Sequence, residues 1–257
     1  MTVVYFEVLR RPAGRTVVAS PVRVRSSELM ACFAAATELA MGQNADHAMQ
    51  GCAVAVHLAR AAGLQGSDLR NTYFLALLRF VGCNAETAVI AELAGDVQAL
   101  RRAMALLDST HLPQVVAALV DNIRSSHAQE SGLQVLAAVL RGLGQSGRLE
   151  QEVLPGHCEV AQRLGRRLGF DERFVSGLGQ LYARWDGKGI PATAGEAIMP
   201  AARVVALAQD MVLHGRQGGW PAVQTLIAQR TGGQFDPALC ALALREGEAW
   251  LHALPLS

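Results

Sequence analysis

The segment from Tyr182 to Asp210 concentrates residues whose types could do chemistry. Arg184 precedes a loop, DGKGIPATAG (186–195), that is rich in glycine and proline, begins at Asp186 and carries Lys188. Lys188 and the backbone amides of this loop could face a phosphate group, although glycine and proline also simply make a tight connection. Both roles stay open from the residues alone, with the structural role favoured.

The same segment resembles the signature of the HD-GYP phosphohydrolases, a helical family that includes cyclic di-GMP phosphodiesterases. In that family a His-His-Glu triplet precedes a basic residue and Asp-Gly, and a Gly-Tyr-Pro loop, an Ile-Pro, an Ala-Arg strip and an Asp follow. The resemblance extends over about residues 30–245 and implies an HD-domain-like helical bundle. The matching positions are Arg184, Asp186, Gly187, Gly189, Pro191, Pro200, Ala202, Arg203 and Asp210.

Two upstream histidines extend the resemblance. His47 opens a predicted helix where the family has its first ligand histidine, and His157 matches the ligand histidine in the middle of the family's domain. The stretch ALLRFVGC at 76–83 lies where the family has ALLHDIGK. The resemblance therefore implies that His47, His157 and Asp210 are residual metal positions. In an active enzyme, Asp210, His157 and Lys188 would be the catalytic groups.

The departures from the family pattern affect the metal ligands. Arg79-Phe80 replaces the His-Asp pair, Cys83 the following Lys, Leu181-Tyr182 the tandem His pair, and Ile190 the Tyr of Gly-Tyr-Pro. Cleavage of a phosphodiester at such a centre needs two or more cations, which three ligands cannot hold. A guanidinium about 4 Å from a divalent cation would be repelled by roughly twice the ~4 kcal/mol of two unit charges at an effective dielectric near 20. We therefore expect Arg79 to supply the positive charge and to pair with Asp210.

These features favour a catalytically degenerate HD-GYP-like domain that acts as a regulatory, sensory or protein-interaction module. It would hold a nucleotide or another phosphorylated ligand without hydrolysing it, and it would need no cofactor. The predicted ligand-binding residues are Arg79, Arg184, Asp186 and Lys188. Relatives with the ALLRF-GC variant are often fused to a helix-turn-helix domain, so the expected partner is another protein or a second copy of the chain.

The alternative is a metal-dependent phosphohydrolase or phosphodiesterase of the cyclic di-GMP type. One manganese, iron or zinc ion would lie between His47, His157 and Asp210, with Glu86 or water completing its coordination. A third possibility is a dimerisation scaffold in which the N-terminal hairpin offers an edge strand to a second copy.

Composition excludes several other classes. The net charge is +1 and only 18% of the residues are charged, so direct binding of DNA or of a membrane surface is not expected. The five cysteines contain no CxxC and indicate reduced thiols, and the N-terminus lacks a secretory leader, so we expect a cytoplasmic protein. His57, His111, His127, His214 and His252 show no ligand spacing and are predicted to be surface or hydrogen-bonded histidines.

Periodicity predicts a mainly α-helical chain. β-Branched and aromatic residues alternate in the first 25 residues and predict a short β-hairpin extension (1–25), ahead of a helical domain (26–257). Beyond residue 26 the apolar residues recur at helical spacing. The predicted helices cover about 26–41, 46–62, a span beginning near 67, several short helices within 85–145, then 149–168, 171–184, 200–214, 220–230 and 237–252.

Overall fold

The computed structural model describes residues 3–6, 22–42, 46–82, 96–126, 132–148 and 154–254. Two short strands, β1 (Val3–Phe6) and β2 (Val22–Arg25), pair antiparallel, with Val3 opposite Arg25 and Phe6 opposite Val22. This pairing is the one expected of the predicted hairpin, whose connecting residues 7–21 lie outside the described residues. Helical structure begins directly after β2.

The rest of the described chain is helical, as the periodicity predicts. No helix among the described residues is long and apolar enough to span a membrane. A short 3-10 turn, Gly195–Ala197, begins at the last residue of the glycine-rich loop. The helices are α1 (Ser26–Ala40), α2 (His47–Ala61), α3 (Gly66–Leu77), α4 (Val97–Leu106), α5 (Leu112–Ser126), α6 (Gly132–Arg148), α7 (Leu154–Arg167), α8 (Glu172–Leu178), α9 (Pro200–Arg230) and α10 (Pro237–His252).

The main core lies between α2, α3 and α9. Small residues allow these helices to approach closely: a Cβ at Gly51 of α2 would come within 2.4 Å of the Gln209 side chain on α9. Gln209 in turn donates a hydrogen bond from Nε2 to the carbonyl of Ala76 on α3, at 3.1 Å. The largest fully buried side chains of this core include Leu58, Leu75, Leu77, Leu207, Met211 and Ile227.

Helix α9 consists of two helical halves separated by a break at Gly218 and Gly219, and Gly219 has a φ of 64° that favours glycine. A straight helix would place Asp210 and Arg230 about 30 Å apart. Their side chains are instead 3.4 Å apart, so the second half folds back along the first. This agrees with the two helices predicted from the sequence. The break decides which residues meet Asp210.

The helix predicted over 171–184 is shorter than expected, because α8 ends at Leu178. Beyond it, the backbone N–H of Ile190 donates to the carbonyl of Tyr182 at 3.1 Å, in an isolated antiparallel bridge. Gly189 lies so close to this bridge that a Cβ there would come within 2.3 Å of the Tyr182 oxygen. The Tyr182 carbonyl, which would accept an i, i+4 bond in a longer helix, therefore accepts from Ile190 of the loop instead.

The α4–α5 unit, residues 97–126, has a small core of its own. Among the described residues, its buried apolar side chains form a cluster distinct from the main core, with Met104 and Val139 packed against it. The members of the cluster are Val97, Leu100, Leu119 and Ile123.

Candidate functional site

Asp210 on α9 is the centre of a buried polar cluster. Its side chain is 11% exposed, and Nη1 of Arg230 lies 3.4 Å from its Oδ2 atom. Gln234 donates from Nε2 to the same oxygen at 2.9 Å. Burial raises the pKa of Asp210, while the positive charges of Arg79 and Arg230 act against that rise. The carboxylate thus has hydrogen-bond donors from Arg230 and Gln234, although burial outweighs the nearby positive charges in its pKa.

Arg79 follows α3 and lies between two aromatic rings. Its Cζ atom is 5.8 Å from the ring centroid of Phe80 and 5.7 Å from that of Tyr182. Its Nη1 donates to the carbonyl of Leu181 at 2.9 Å. Among the described residues the direct ion pair of Asp210 is with Arg230, so the predicted pair between Arg79 and Asp210 is not formed. The predicted positive charge of Arg79 does act at Asp210, because it lowers the pKa of this carboxyl more than the charge of Arg230 does.

His47 lies at the start of α2 and is buried. Its ring centroid is 6.0 Å from that of Phe80, and its Nδ1 atom has no hydrogen-bond partner in the described part of the chain. Burial, together with the charges of Arg216 and Arg79, lowers the pKa of His47 to about 4. The imidazole is therefore neutral at physiological pH.

His157 on α7 lies beside the end of the ALLRFVGC stretch, since a Cβ at Gly82 would come within 2.0 Å of the His157 carbonyl oxygen. Burial lowers the pKa of His157 to about 4, and the charge of Arg101 on α4 acts in the same direction. Its charged neighbour thus comes from the α4–α5 unit. Neither Asp210 nor His47 contributes to its shift.

The arrangement of these residues does not fit a metal ion. Within the described ranges, no group of three or more His, Cys, Asp or Glu side chains is placed to hold a metal. His47, His157 and Asp210 do not form such a group, and Arg230 binds the Asp210 oxygen that a cation would take. Two further residues considered from the sequence, Cys83 and Glu86, lie outside the described residues.

Of the three predicted ligand-binding residues in and beside the glycine-rich loop, Arg184 and Asp186 bind other residues of the protein. Arg184, with a side chain 7% exposed, binds Asp186 through Nε and Nη2, both at 3.2 Å, and Asp108 through Nη1 at 2.9 Å. Asp186 also accepts from the backbone N–H of Lys188 at 3.0 Å. Lys188 itself is exposed. Of Arg184, Asp186 and Lys188, it is therefore Lys188 whose side chain is open to solvent.

Three residues of the Asp210 cluster were missed by the sequence analysis. His214, predicted to be an ordinary histidine, lies one turn beyond Asp210, and each affects the pKa of the other. The i, i+4 spacing of this pair was the signal that could have found it. Arg230 and Gln234 carry no such signal, because they reach Asp210 only through the fold-back of α9.

The chain has the helical HD-domain-like fold. Its structure matches the crystal structure of a cyclic GMP-AMP specific phosphodiesterase of Vibrio cholerae with a TM-score of 0.61, at 21% identity, over 90% of this chain and 51% of that one. In sequence it is 29% identical over 216 residues to 3'3'-cGAMP-specific phosphodiesterase 3 of Vibrio cholerae serotype O1. That match covers 83% of this chain and 46% of the relative, so the chain spans about half of the relative's length. No family model matches the chain.

Proposed function

We propose that this chain binds a cyclic dinucleotide, the class of molecule named for its Vibrio cholerae relative, and that binding is separated from cleavage. The observation that carries the proposal is the pairing of Asp210 with Arg230 and Gln234. With the carboxylate paired in this way, a divalent cation would have to displace a buried guanidinium. Contact of a phosphodiester with Arg79 needs no such displacement.

Arg79 is the residue proposed to contact the ligand. It is partly exposed and lies over two aromatic rings, an arrangement that suits both a phosphate and the face of a nucleobase. The bridge between Tyr182 and Ile190 brings the loop that carries exposed Lys188 beside Tyr182. The ligand would therefore meet Arg79 first and Lys188 at the edge of the same region. We propose that its binding is passed on to a partner protein or to a second copy of the chain.

A metal-dependent phosphodiesterase is the second candidate, and the similarity to a phosphodiesterase over 83% of the chain favours it over a purely regulatory module. His47 is in the correct form for this role, because its lowered pKa keeps the imidazole neutral, as a metal ligand must be. In this case the pairing of Asp210 with Arg230 would have to open when the metal binds.

Calorimetric titration of the purified chain with 3'3'-cGAMP tests the proposal, first in EDTA and then with Mn²⁺. We expect binding in EDTA, and we expect Arg79→Met to weaken it by about tenfold or more, as loss of a charged hydrogen-bonding group does. Arg163→Met is the matched control, because Arg163 lies on the exposed face of α7 in an i, i+4 pair with Glu159.

Chromatography of the same samples separates the two candidates. Intact dinucleotide after incubation with Mn²⁺ supports binding without cleavage. Linear product that requires Mn²⁺ and is lost in His47→Ala establishes the phosphodiesterase instead. Absence of binding under both conditions contradicts both candidates.

A further inference from the structure

The α4–α5 unit is joined to the helical bundle by two buried arginines. Arg230 donates from Nη2 to the carbonyl of Leu106 at 2.6 Å, and Arg184 donates from Nη1 to Asp108 at 2.9 Å. Leu106 ends α4, and Asp108 lies in the short connection to α5. Both bonds thus hold the same turn of the unit, whose apolar cluster is distinct from the main core in the part of the chain that the structure describes.

Each arginine also binds a carboxylate of the candidate site. Nη1 of Arg230 lies 3.4 Å from Asp210, and Arg184 makes two bonds of 3.2 Å to Asp186. A guanidinium is a rigid planar fork, so its two arms cannot reorient independently. Nη1 of Arg230 also donates to Oε1 of Gln234 at 3.0 Å, and Gln234 donates to Asp210. A change at Asp210 therefore acts on both partners of Nη1 and, through the rigid guanidinium, on the bond to Leu106.

We infer that Arg230 and Arg184 form a latch that couples docking of the α4–α5 unit to the state of Asp210 and Asp186. While both carboxylates hold their arginines, the turn at 106–108 is bound and the unit is docked. When an anion draws a guanidinium away from its carboxylate, that turn is released. Helices α4 and α5 then move together, because the small cluster that they share, with Val139 of α6 packed against it, holds them to each other.

The latch rests on the proposed binding of a phosphorylated ligand. Once such a ligand is held at Arg79, its anionic groups would compete with Asp210 for Arg230. That competition would release Leu106. Binding of a ligand at the site would therefore change the position of the α4–α5 unit.

Hydrogen exchange of the full chain tests the latch with two isosteric variants. Asp108→Asn weakens the bond on the side of the unit, and Asp210→Asn removes the charge on the side of the site. We expect both to speed exchange of the α4 and α5 amides by about five- to tenfold, with α2 and α3 unchanged, since a local opening affects only the segment that opens. Arg163→Met is the control and should leave all of these rates unchanged.

The variant at Asp210 is decisive, because within the described part of the chain the hydrogen bonds of Asp210 reach the unit through Arg230. If Asp108→Asn speeds exchange and Asp210→Asn does not, Arg184 is a simple tether and the coupling is wrong. Equal acceleration in α2, α3, α4 and α5 would show a general loss of stability and would also overturn the inference. Unchanged exchange in both variants would exclude the latch entirely.

Discussion

The bundle of α2, α3 and α9 and the α4–α5 unit are stabilised in different ways. The bundle buries many apolar side chains completely, among them Leu58 and Leu207, which are 0% exposed. The cluster of the unit has four buried apolar residues, which are 1–7% exposed. Buried arginines bind its turn to the rest of the chain. Apolar burial is insensitive to small changes of charge, whereas a charged hydrogen bond is lost when its partner changes. The comparison indicates that the bundle maintains the fold and that the unit is the region able to respond.

The largest loss of stability should appear when a core leucine of the bundle is replaced by alanine. Leu58→Ala leaves a cavity at a fully buried position and should lower the free energy of unfolding by about 3–5 kcal/mol. Urea denaturation followed by circular dichroism measures this. Leu133→Ala, at a position 80% exposed on α6, is the control and should change the free energy by less than about 0.5 kcal/mol. A small effect of Leu58→Ala would mean that the bundle core is less tightly packed than described.

A matching change in the small cluster should act locally. Ile123→Ala removes a side chain that is 1% exposed in the α4–α5 unit, at a local cost of about 2–4 kcal/mol. Because this cluster is distinct from the main core, trypsin should cleave the unit faster at Arg101, Arg102 and Arg124, while the urea midpoint of the bundle shifts little. An equal shift of the urea midpoint in Leu58→Ala and Ile123→Ala would show that the two regions unfold as one.

The smallest predicted effect concerns how the stability of the helical bundle changes with pH. Glu38 on α1 is fully buried and accepts a hydrogen bond from the backbone N–H of Ala48, in the first turn of α2. Burial raises the pKa of Glu38 to about 7, from an ordinary value of 4.5. Between these values the folded state binds more protons than the unfolded state, so this group's contribution to stability decreases as the pH rises from about 4.5 to 7.

Glu38→Gln removes that loss and keeps an oxygen for the Ala48 bond. Relative to the unchanged protein, the variant should gain about 1–2 kcal/mol of stability on going from pH 5 to pH 8, measured by urea denaturation. The histidines act in the opposite direction, because the lowered pKa values of His47 and His157 reduce stability as the pH falls below about 6.5. Both histidines are present in the unchanged protein and in Glu38→Gln, so their contributions cancel in the difference between the two. Glu159→Gln, on the exposed face of α7, should show no pH-dependent gain.

Much of the fold could be predicted from the sequence because helices leave a local pattern. Asp236 followed by Pro237 predicted the start of α10, and the Asp236 side chain accepts from the Ala238 N–H at 2.8 Å. The predicted break between residues 214 and 220 lies at Gly218 and Gly219. The end of α8 was placed too late, since it depends on the bridge between Tyr182 and Ile190, and pairing of this kind has no signature within the helix itself.

The site was predictable only in part. The motif led to Asp210 and to a positive charge beside it, but it indicated Arg79 as the partner. Arg230 lies twenty residues away in a segment with no motif, so nothing local points to it. Arg184 was predicted to bind a ligand, and the structure shows that Asp186 and Asp108 occupy it.

The sequence by itself determined the helical character of the chain, the order of its helices and the presence of Asp210 in a basic setting, because these depend on neighbours along the chain. Only the tertiary structure decided which cation meets Asp210 and which segment that cation also binds. The reason is geometric: the two halves of α9 fold back at two glycines, and that reversal brings Arg230 to Asp210 and to Leu106 at once.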